Sequence, residues 1–412
     1  MATNHPTAGT NIFDVVAKFN AGREPERLAM KLAKMAQSPF VFLRGSCHLF
    51  YDTLTVPKTL RDAPLAWCCG DAHFENFGSY KGNNRLVYFD INDYDEAALA
   101  PAGWDLVRLL TSIQCGADVL KATPGQTLAA SESCLNAYCA AIAVGKPLWV
   151  ERENSEGLVN KLLDELRGRE RAAFLERRTV RAGHKRQLKL DGVKALPATD
   201  AQRKAVLRFM EGFARKQSDP GFFKVLDIGR RIAGTGSLGV MRFEMLVEGK
   251  GSPDGNYLLE IKECKPSALA PHISRLGIKQ PKWSDEAARV CTVQNRMQAV
   301  DHAFLQAVDL DGLPCLFKEL QPSEDRVAIG TWGGKDARLN EVVATMGKVL
   351  AWDQLRASGR SGAAGADELN AFISRPDFAK FMLRAATGMA ELTRSQWQSY
   401  ATRYALDNRP SK

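Results

Sequence analysis

The sequence predicts an α+β chain with a small antiparallel β lobe and a larger, mainly helical lobe, and three observations carry that prediction. At 412 residues the chain exceeds the usual size of one core, and its 45% hydrophobic residues can fill two. Strand-like alternation is concentrated between Val240 and Lys262, while helical spacing of apolar residues runs through Glu24 to Gln37, Leu339 to Leu355 and Asp377 to Tyr404. Between these, Trp67 to Arg108 gathers carboxylates, an amide and a histidine at the ends of two apolar runs.

Met1 to Thr10 is polar and lacks a signal-peptide core, and no stretch reaches about 18 uninterrupted apolar residues, so a cytoplasmic protein without membrane contact is expected. After the Glu24 to Gln37 helix, Phe40-Val-Phe-Leu is a short apolar run ending at Arg44-Gly45. Arg44 either pairs with a site carboxylate or caps the fold.

The next stretch reads Trp67-Cys-Cys-Gly-Asp71-Ala-His73-Phe-Glu75-Asn76-Phe-Gly78. Lys81-Gly-Asn-Asn84 is then a hairpin turn, and Leu86-Val-Tyr-Phe89 is a strand that delivers Asp90 and Asp93. Phosphoryl transfer needs a carboxylate beside the attacking hydroxyl and oxygen ligands for magnesium. Asp71 can supply the first, Asn76 one ligand, and Asp90 or Asp93 the charged ligand. Counting forward from Asn76 favours Asp90, and counting back from Asp105 favours Asp93. Mg²⁺ takes only one or two carboxylates beside phosphates and water, so Asp93, Asp95 and Glu96 are partly surplus to it. Asp105 opens a helical pattern, where an acid can accept backbone donors from the Asp71 loop.

Ile232-Ala-Gly234-Thr235-Gly236-Ser237-Leu238-Gly239 is a Gly-x-Gly-x-x-Gly run. It is followed by a strand, Val240 to Val247, rather than by the helix of a dinucleotide fold or the Gly-Lys-Ser/Thr of a Walker loop. Pro253-Asp-Gly255 is a turn, and a further strand, Tyr257 to Glu263, carries Lys262 near its end.

These segments resemble known ones. Cys69-Gly-Asp71-Ala-His73-Phe-Glu-Asn76 is similar to the catalytic loop of the aminoglycoside and choline kinase branch of the protein-kinase-like superfamily, with Cys69 where that branch has histidine. Phe89-Asp90 resembles the branch's metal-binding Ile-Asp, and Trp104-Asp105-Leu106-Val-Arg-Leu109 its following helix. The glycine run and Lys262 resemble the kinase flap and its phosphate-pairing lysine. Ser38 to Gly45, Gly70 to Gly78, Phe89 to Glu96, Trp104 to Leu109, Gly234 to Gly239 and Ile261 to Ser267 together resemble a bacterial family called domain of unknown function 2252.

The resemblance implies a bilobal, protein-kinase-like fold, circularly permuted because the flap follows the catalytic loop. Residues 1–222 would form the helical lobe with the catalytic loop, 223–325 the nucleotide-binding β lobe, and 326–412 the helices that complete the large lobe. It also implies ATP and Mg²⁺. Gly234, Thr235, Gly236, Ser237, Leu238 and Gly239 would cover the phosphates and Lys262 would hold the α/β pair. Asn76 and Asp90 would bind metal with Asp93 in reserve, Asp71 would act as base, and His73 would order the loop. Glu286 is the candidate partner of Lys262, or else a solvated acid at a helix start.

The acceptor hydroxyl, small-molecule or protein, is not chosen by fold resemblance. A nucleotide-binding pseudokinase or scaffold and an AMP transferase stand beside the kinase reading. The net charge of +9 gathers between Arg167 and Lys194, but the run lacks interleaved aromatics apart from Phe174, so an exposed basic segment is expected rather than a nucleic-acid site. Nine cysteines without Cys-x-x-Cys spacing read as reduced thiols. A zinc cluster from Cys68, Cys69, His48 and His73 is disfavoured, because adjacent residues of a strand point to opposite faces.

Overall fold

The computed structural model describes residues 11–54, 60, 62–320 and 325–408; the polar Met1 to Thr10 segment lies outside them. The fold is mixed α+β. Its first part is helical: α1 (Ile12–Phe19), α2 (Pro25–Met35), α3 (Pro39–Gly45) and α4 (Cys47–Thr53). The apolar run at Phe40 is therefore a helix turn, started by Pro39 and by Ser38, whose hydroxyl accepts from the Val41 N–H.

Short strands then frame the Asp71 loop. β1 (Leu65–Cys68) enters it, and the β2 (Phe77–Lys81) and β3 (Val87–Ile91) hairpin leaves it. β4 (Ala98–Pro101) pairs antiparallel with β1 and leads into α5 (Gly103–Cys115), which is buried along its whole length. α6 (Pro124–Val144) follows, capped by Thr123 and Gln126 in a reciprocal box. β5 (Val150–Glu151) joins the hairpin sheet beside β3.

The basic stretch folds as α7 (Gly157–Arg167), α8 (Arg171–Glu176) and the ribbon β6 (Thr179–Ala182) and β7 (Lys185–Leu188). β8 (Ala195–Pro197) and α9 (Asp200–Ala214) come next. Then follow β9 (Val225–Arg231), β10 (Arg242–Val247), β11 (Tyr257–Glu263), α10 (Ala270–Arg275), α11 (Glu286–Met297), β12 (Gln306–Leu310) and β13 (Leu313–Glu319). The six-stranded sheet runs β12-β13-β11-β10-β9-β8, and every pair in it is antiparallel.

Strand alternation divides this sheet into two unlike faces. Phe243, Met245, Leu259, Ile261 and Phe317 pack against Val206, Met210 and Phe213 of α9. The other face carries Arg242, Glu244, Glu260, Lys262 and Lys318, joined across strands as Arg242–Lys262, Glu244–Glu260 and Glu260–Lys318. The sheet and its helix begin at Ala195, ahead of residue 223. α11 buries Ala287, Val290, Val293 and Met297 in the main core with α5, α6 and the long helix α12 (Asp336–Arg356). α13 (Ala366–Ile373) and α14 (Phe378–Asp407) finish the chain, α14 closing back on α1 through Tyr400, which stacks on Phe13. No helix among the described residues is long and apolar enough to cross a membrane.

Candidate active site

The loop from Cys69 to Asn76 is held from three sides. The Asp105 carboxylate accepts the Cys69 N–H at 2.7 Å and the Gly70 N–H at 3.0 Å. Tyr51 Oη donates to the Gly70 carbonyl at 2.8 Å. Gly70 sits at φ +81°, and a Cβ there would meet the Glu96 carbonyl oxygen at 2.2 Å, so only glycine lets these backbones pass. The loop ends in a 3-10 turn, Phe74–Asn76, anchored by Phe74 stacked on Phe40 at 4.1 Å.

Asp71 projects from this loop onto Arg108. Arg108 is fully buried and donates to Asp71 Oδ1 from Nε at 2.7 Å and again from Nη2. Burial pushes the Asp71 carboxyl above its usual range and the guanidinium opposes it. With Oδ1 taken by both bonds, Oδ2 accepts none from Arg108. His73 Nε2 lies 3.9 Å from that oxygen, and burial lowers the imidazole well below its usual pKa, so the ring is neutral. Arg108 has no role in the sequence reading, although Asp105 and Arg108, three apart on a helix, share one face.

Asn76 is oriented by its own amide. Nδ2 donates to the carbonyls of Asp93 at 3.0 Å and Asp71 at 3.4 Å, which leaves Oδ1 as the outward acceptor. Asp93 lines the cleft with Asn76 and Asp71, and Lys262 Nζ lies 3.4 Å from each of its oxygens. Lys262 also pairs with Asp95. The ammonium holds the Asp93 carboxyl far below its usual value, while burial and the neighbouring Asp93 raise that of Asp95.

Asp90 lies elsewhere. It is 3% exposed, accepts from the Ile91 N–H at 2.7 Å and the Ala299 N–H at 3.3 Å, and faces Asp353 and Arg356 of α12. The reason is strand alternation: Asp90 is still inside β3, whereas Asp93 lies beyond its end and turns into the cleft. Of the two expected metal carboxylates, the cleft takes Asp93.

Glu286 is not brought to Lys262. Its carboxylate accepts from Arg289 Nε at 2.6 Å, and Arg289 in turn donates to the carbonyls of Asp95, Ala97 and Lys265. Glu286 thus steadies the arginine that holds the Asp95 segment. It lies at the start of α11, away from the cleft lining.

The glycine loop spans the gap between β9 and β10. Gly234 and Gly239 have φ of +70° and +84°. Among the described residues the N–H groups of Gly234, Thr235, Gly236, Ser237 and Leu238 donate to no acceptor, while the carbonyls of Gly236, Ser237, Leu238 and Gly239 are engaged. Arg23 Nη1 donates to the Gly236 carbonyl at 2.6 Å and to that of Leu238 at 2.9 Å, and buried Lys31 donates to Gly236 at 2.8 Å. The Glu24 N–H bonds the Gly239 carbonyl at 2.9 Å. The start of α2 therefore fixes the loop by its oxygens and leaves its donors free. The sequence of α2 predicts only an amphipathic helix, and nothing local to it signals this clamp.

Arg44 lines the cleft near Asp71 and donates to Glu75, which also accepts from Arg326 at 3.1 Å. The basic stretch does not line the cleft. Several of its arginines are paired: Arg169 with Asp325 through two bonds of 2.7 and 2.8 Å, Arg178 with Glu244 at 3.5 Å, and Arg186 with Asp254 at 2.6 Å. Among the described residues no group of three or more His, Cys, Asp or Glu side chains is gathered to hold a metal. An amide with one carboxylate still suits Mg²⁺, which draws its remaining ligands from phosphates and water.

No curated protein and no solved structure matches this chain. One family model does match, over residues 23–409, and its description is "Uncharacterized protein conserved in bacteria (DUF2252)". That span covers nearly the whole described chain, the Asp71 loop and the glycine loop included, and the protein belongs to the bacterial DUF2252 family.

Proposed function

We propose that the protein is an ATP- and Mg²⁺-dependent phosphotransferase acting on a hydroxyl acceptor, built on a circularly permuted protein-kinase-like fold. One observation carries this reading. Asp71, Asn76, Asp93 and Lys262 line a single cleft beneath a glycine loop. The donors of that loop from Gly234 to Leu238 are unspent. A purely structural cluster has no use for a carboxylate with one free oxygen, an amide with a free acceptor and a row of free N–H groups together.

In this reading the free N–H groups of Gly234 to Leu238 bind nucleotide phosphate oxygens, and Lys262 pairs with them. Asn76 Oδ1 and Asp93 would hold Mg²⁺, which when bound neutralises charge on the transferring phosphoryl group. Asp71 Oδ2 accepts the hydroxyl proton of the acceptor. Arg108 keeps Asp71 ionised and fixed, and Asp105 keeps its loop in place.

Purified protein with Mg²⁺ and ATP labelled separately at the α- and γ-phosphates tests the reading. Label leaving from the γ-phosphate, to an acceptor or to water, supports phosphoryl transfer. Label transferred from the α-phosphate would make the protein an AMP transferase, and release of neither would leave a nucleotide-binding scaffold.

A further inference from the structure

Two guanidiniums at one end of the cleft share a single carboxylate oxygen. Arg44 ends α3, Glu75 lies on the 3-10 turn that carries Asn76, and Arg326 follows β13, so three separate segments converge. Arg44 Nη1 and Arg326 Nη1 both donate to Glu75 Oε2. Within this trio two positive charges meet one negative, and the cleft carboxylates Asp71 and Asp93 act on the same two cations from further away.

Their other donors are unspent. Arg44 is 9% exposed, and its Nε is buried without a partner. Among the described residues Nη2 of Arg44, and Nε and Nη2 of Arg326, also have no acceptor. Both side chains line the same cleft as Asp71 and Asp93. Burial first, and then the like charge of Arg44, push the Arg326 guanidinium down to about 10. Crowding two partly desolvated cations against one acid does not stabilise a fold unless a further anion joins them.

We propose that Arg44 and Arg326 form an anion subsite for the acceptor, and that the acceptor is a hydroxyl compound carrying a phosphate or carboxylate group. The proposal rests on the phosphotransferase reading of the cleft. The free guanidinium N–H groups bind the oxyanion in forked geometry, and the hydroxyl of the same molecule reaches Asp71 Oδ2. A neutral alcohol would leave these N–H donors unpaired, so the pair selects against it.

The test is calorimetric binding of inorganic phosphate to the full chain with Mg²⁺, in the absence and presence of a non-hydrolysable ATP analogue whose γ-position is filled. Phosphate is expected to bind with the analogue in place. Arg326→Gln should weaken phosphate binding about tenfold or more beyond any change in analogue affinity, and Arg326→Lys should restore part of it. Arg326 is partly exposed, so its variants are expected to fold; Arg44→Gln, checked first by thermal melting, should act in the same direction.

Absence of phosphate binding, or binding indifferent to Arg326, would overturn the subsite. Binding seen only without the analogue would assign the guanidiniums to the nucleotide's terminal phosphate and overturn the acceptor role. If the analogue fails to bind the wild-type protein, the phosphotransferase reading fails. Arg326-dependent phosphate binding alone would then still support an anion site.

Discussion

Lys262 Nζ lies 3.4 Å from both oxygens of Asp93, across the cleft between the six-stranded sheet and the segment that follows β3. The ammonium also meets Asp95, and without it two neighbouring acids would face each other in the cleft. Lys262 therefore holds the cleft together before any phosphate arrives to compete for its charge.

Replacing it with methionine keeps the stem and removes the charge. Lys262→Met is expected to weaken Mg²⁺-nucleotide binding about tenfold or more, the scale of one charge-assisted contact. The change should also lower the melting temperature in the nucleotide-free protein. Calorimetric titration and a melting curve measure the two effects; wild-type nucleotide affinity in the variant would remove Lys262 from the site.

Asp93 and Asp90 separate cleanly by experiment because they face different surroundings. Asp93→Asn should raise the Mg²⁺ concentration needed for nucleotide binding about tenfold or more. Asp90→Asn should leave that requirement near wild type and change stability instead, since Asp90 answers to Asp353, Arg356 and the Ala299 N–H. Titrating Mg²⁺ at fixed nucleotide distinguishes the two; the reverse ranking would return the metal to Asp90.

This pair marks how far the sequence could be read. The Asp71 loop, the hairpin turn, the glycine loop between strands and the position of Lys262 near a strand end all follow from local spacing and turn chemistry. The choice between Asp90 and Asp93 does not, because it depends on where β3 ends, and strand ends are the least determined part of a pattern. Arg23, Lys31, Arg108 and Arg326 were equally out of reach, since each acts on a partner far away in the chain. Arg23 and Gly236, for example, meet only because α2 lies against the glycine loop.

In the proposed phosphotransferase Asp71 has two functions that one variant will affect together. Asp71→Asn should cut turnover roughly a hundredfold or more, as loss of a positioned base does, while nucleotide affinity is retained. It also leaves Arg108, which is fully buried, without its counter-charge, at a stability cost of up to about 3 kcal/mol. The double variant Asp71→Asn with Arg108→Met removes the orphaned cation and should recover stability but not turnover. Recovered turnover in the double variant would show that the carboxylate serves only to neutralise Arg108.

The clamp on the glycine loop predicts an effect from residues in the helix that begins at Pro25 and just before it. Lys31 is buried, and its ammonium bridges the Asn20 side chain and the Gly236 carbonyl, both at 2.8 Å. Lys31→Met should keep the packing but free the loop, and Arg23→Ala should release the Gly236 and Leu238 carbonyls. Each is expected to weaken nucleotide binding by about threefold to tenfold, since preorganisation is lost while the phosphate-facing donors remain. Unchanged affinity in both variants would mean that the loop needs no support from this helix.

Part of the acid response comes from two histidines that the site does not use. His48 stacks on Phe19 at 3.8 Å with both ring nitrogens buried and unpartnered, and His302 packs on Tyr80 with Nε2 likewise buried. Burial pushes each from 6.5 down to about 3. In the unfolded chain both rings take up a proton as the pH falls through their ordinary value, whereas in the folded chain they stay neutral until about pH 3. At these two rings the unfolded state therefore binds more protons across that window, so their contribution to stability falls as pH falls, by about 1.4 kcal/mol per pH unit for each ring. His48→Phe preserves the stack on Phe19 and abolishes one of the two titrations. The loss of denaturation midpoint between pH 7 and pH 4.5 should accordingly be smaller in His48→Phe than in the wild type; an equal loss would mean that His48 is already charged, or free to charge, in the folded protein.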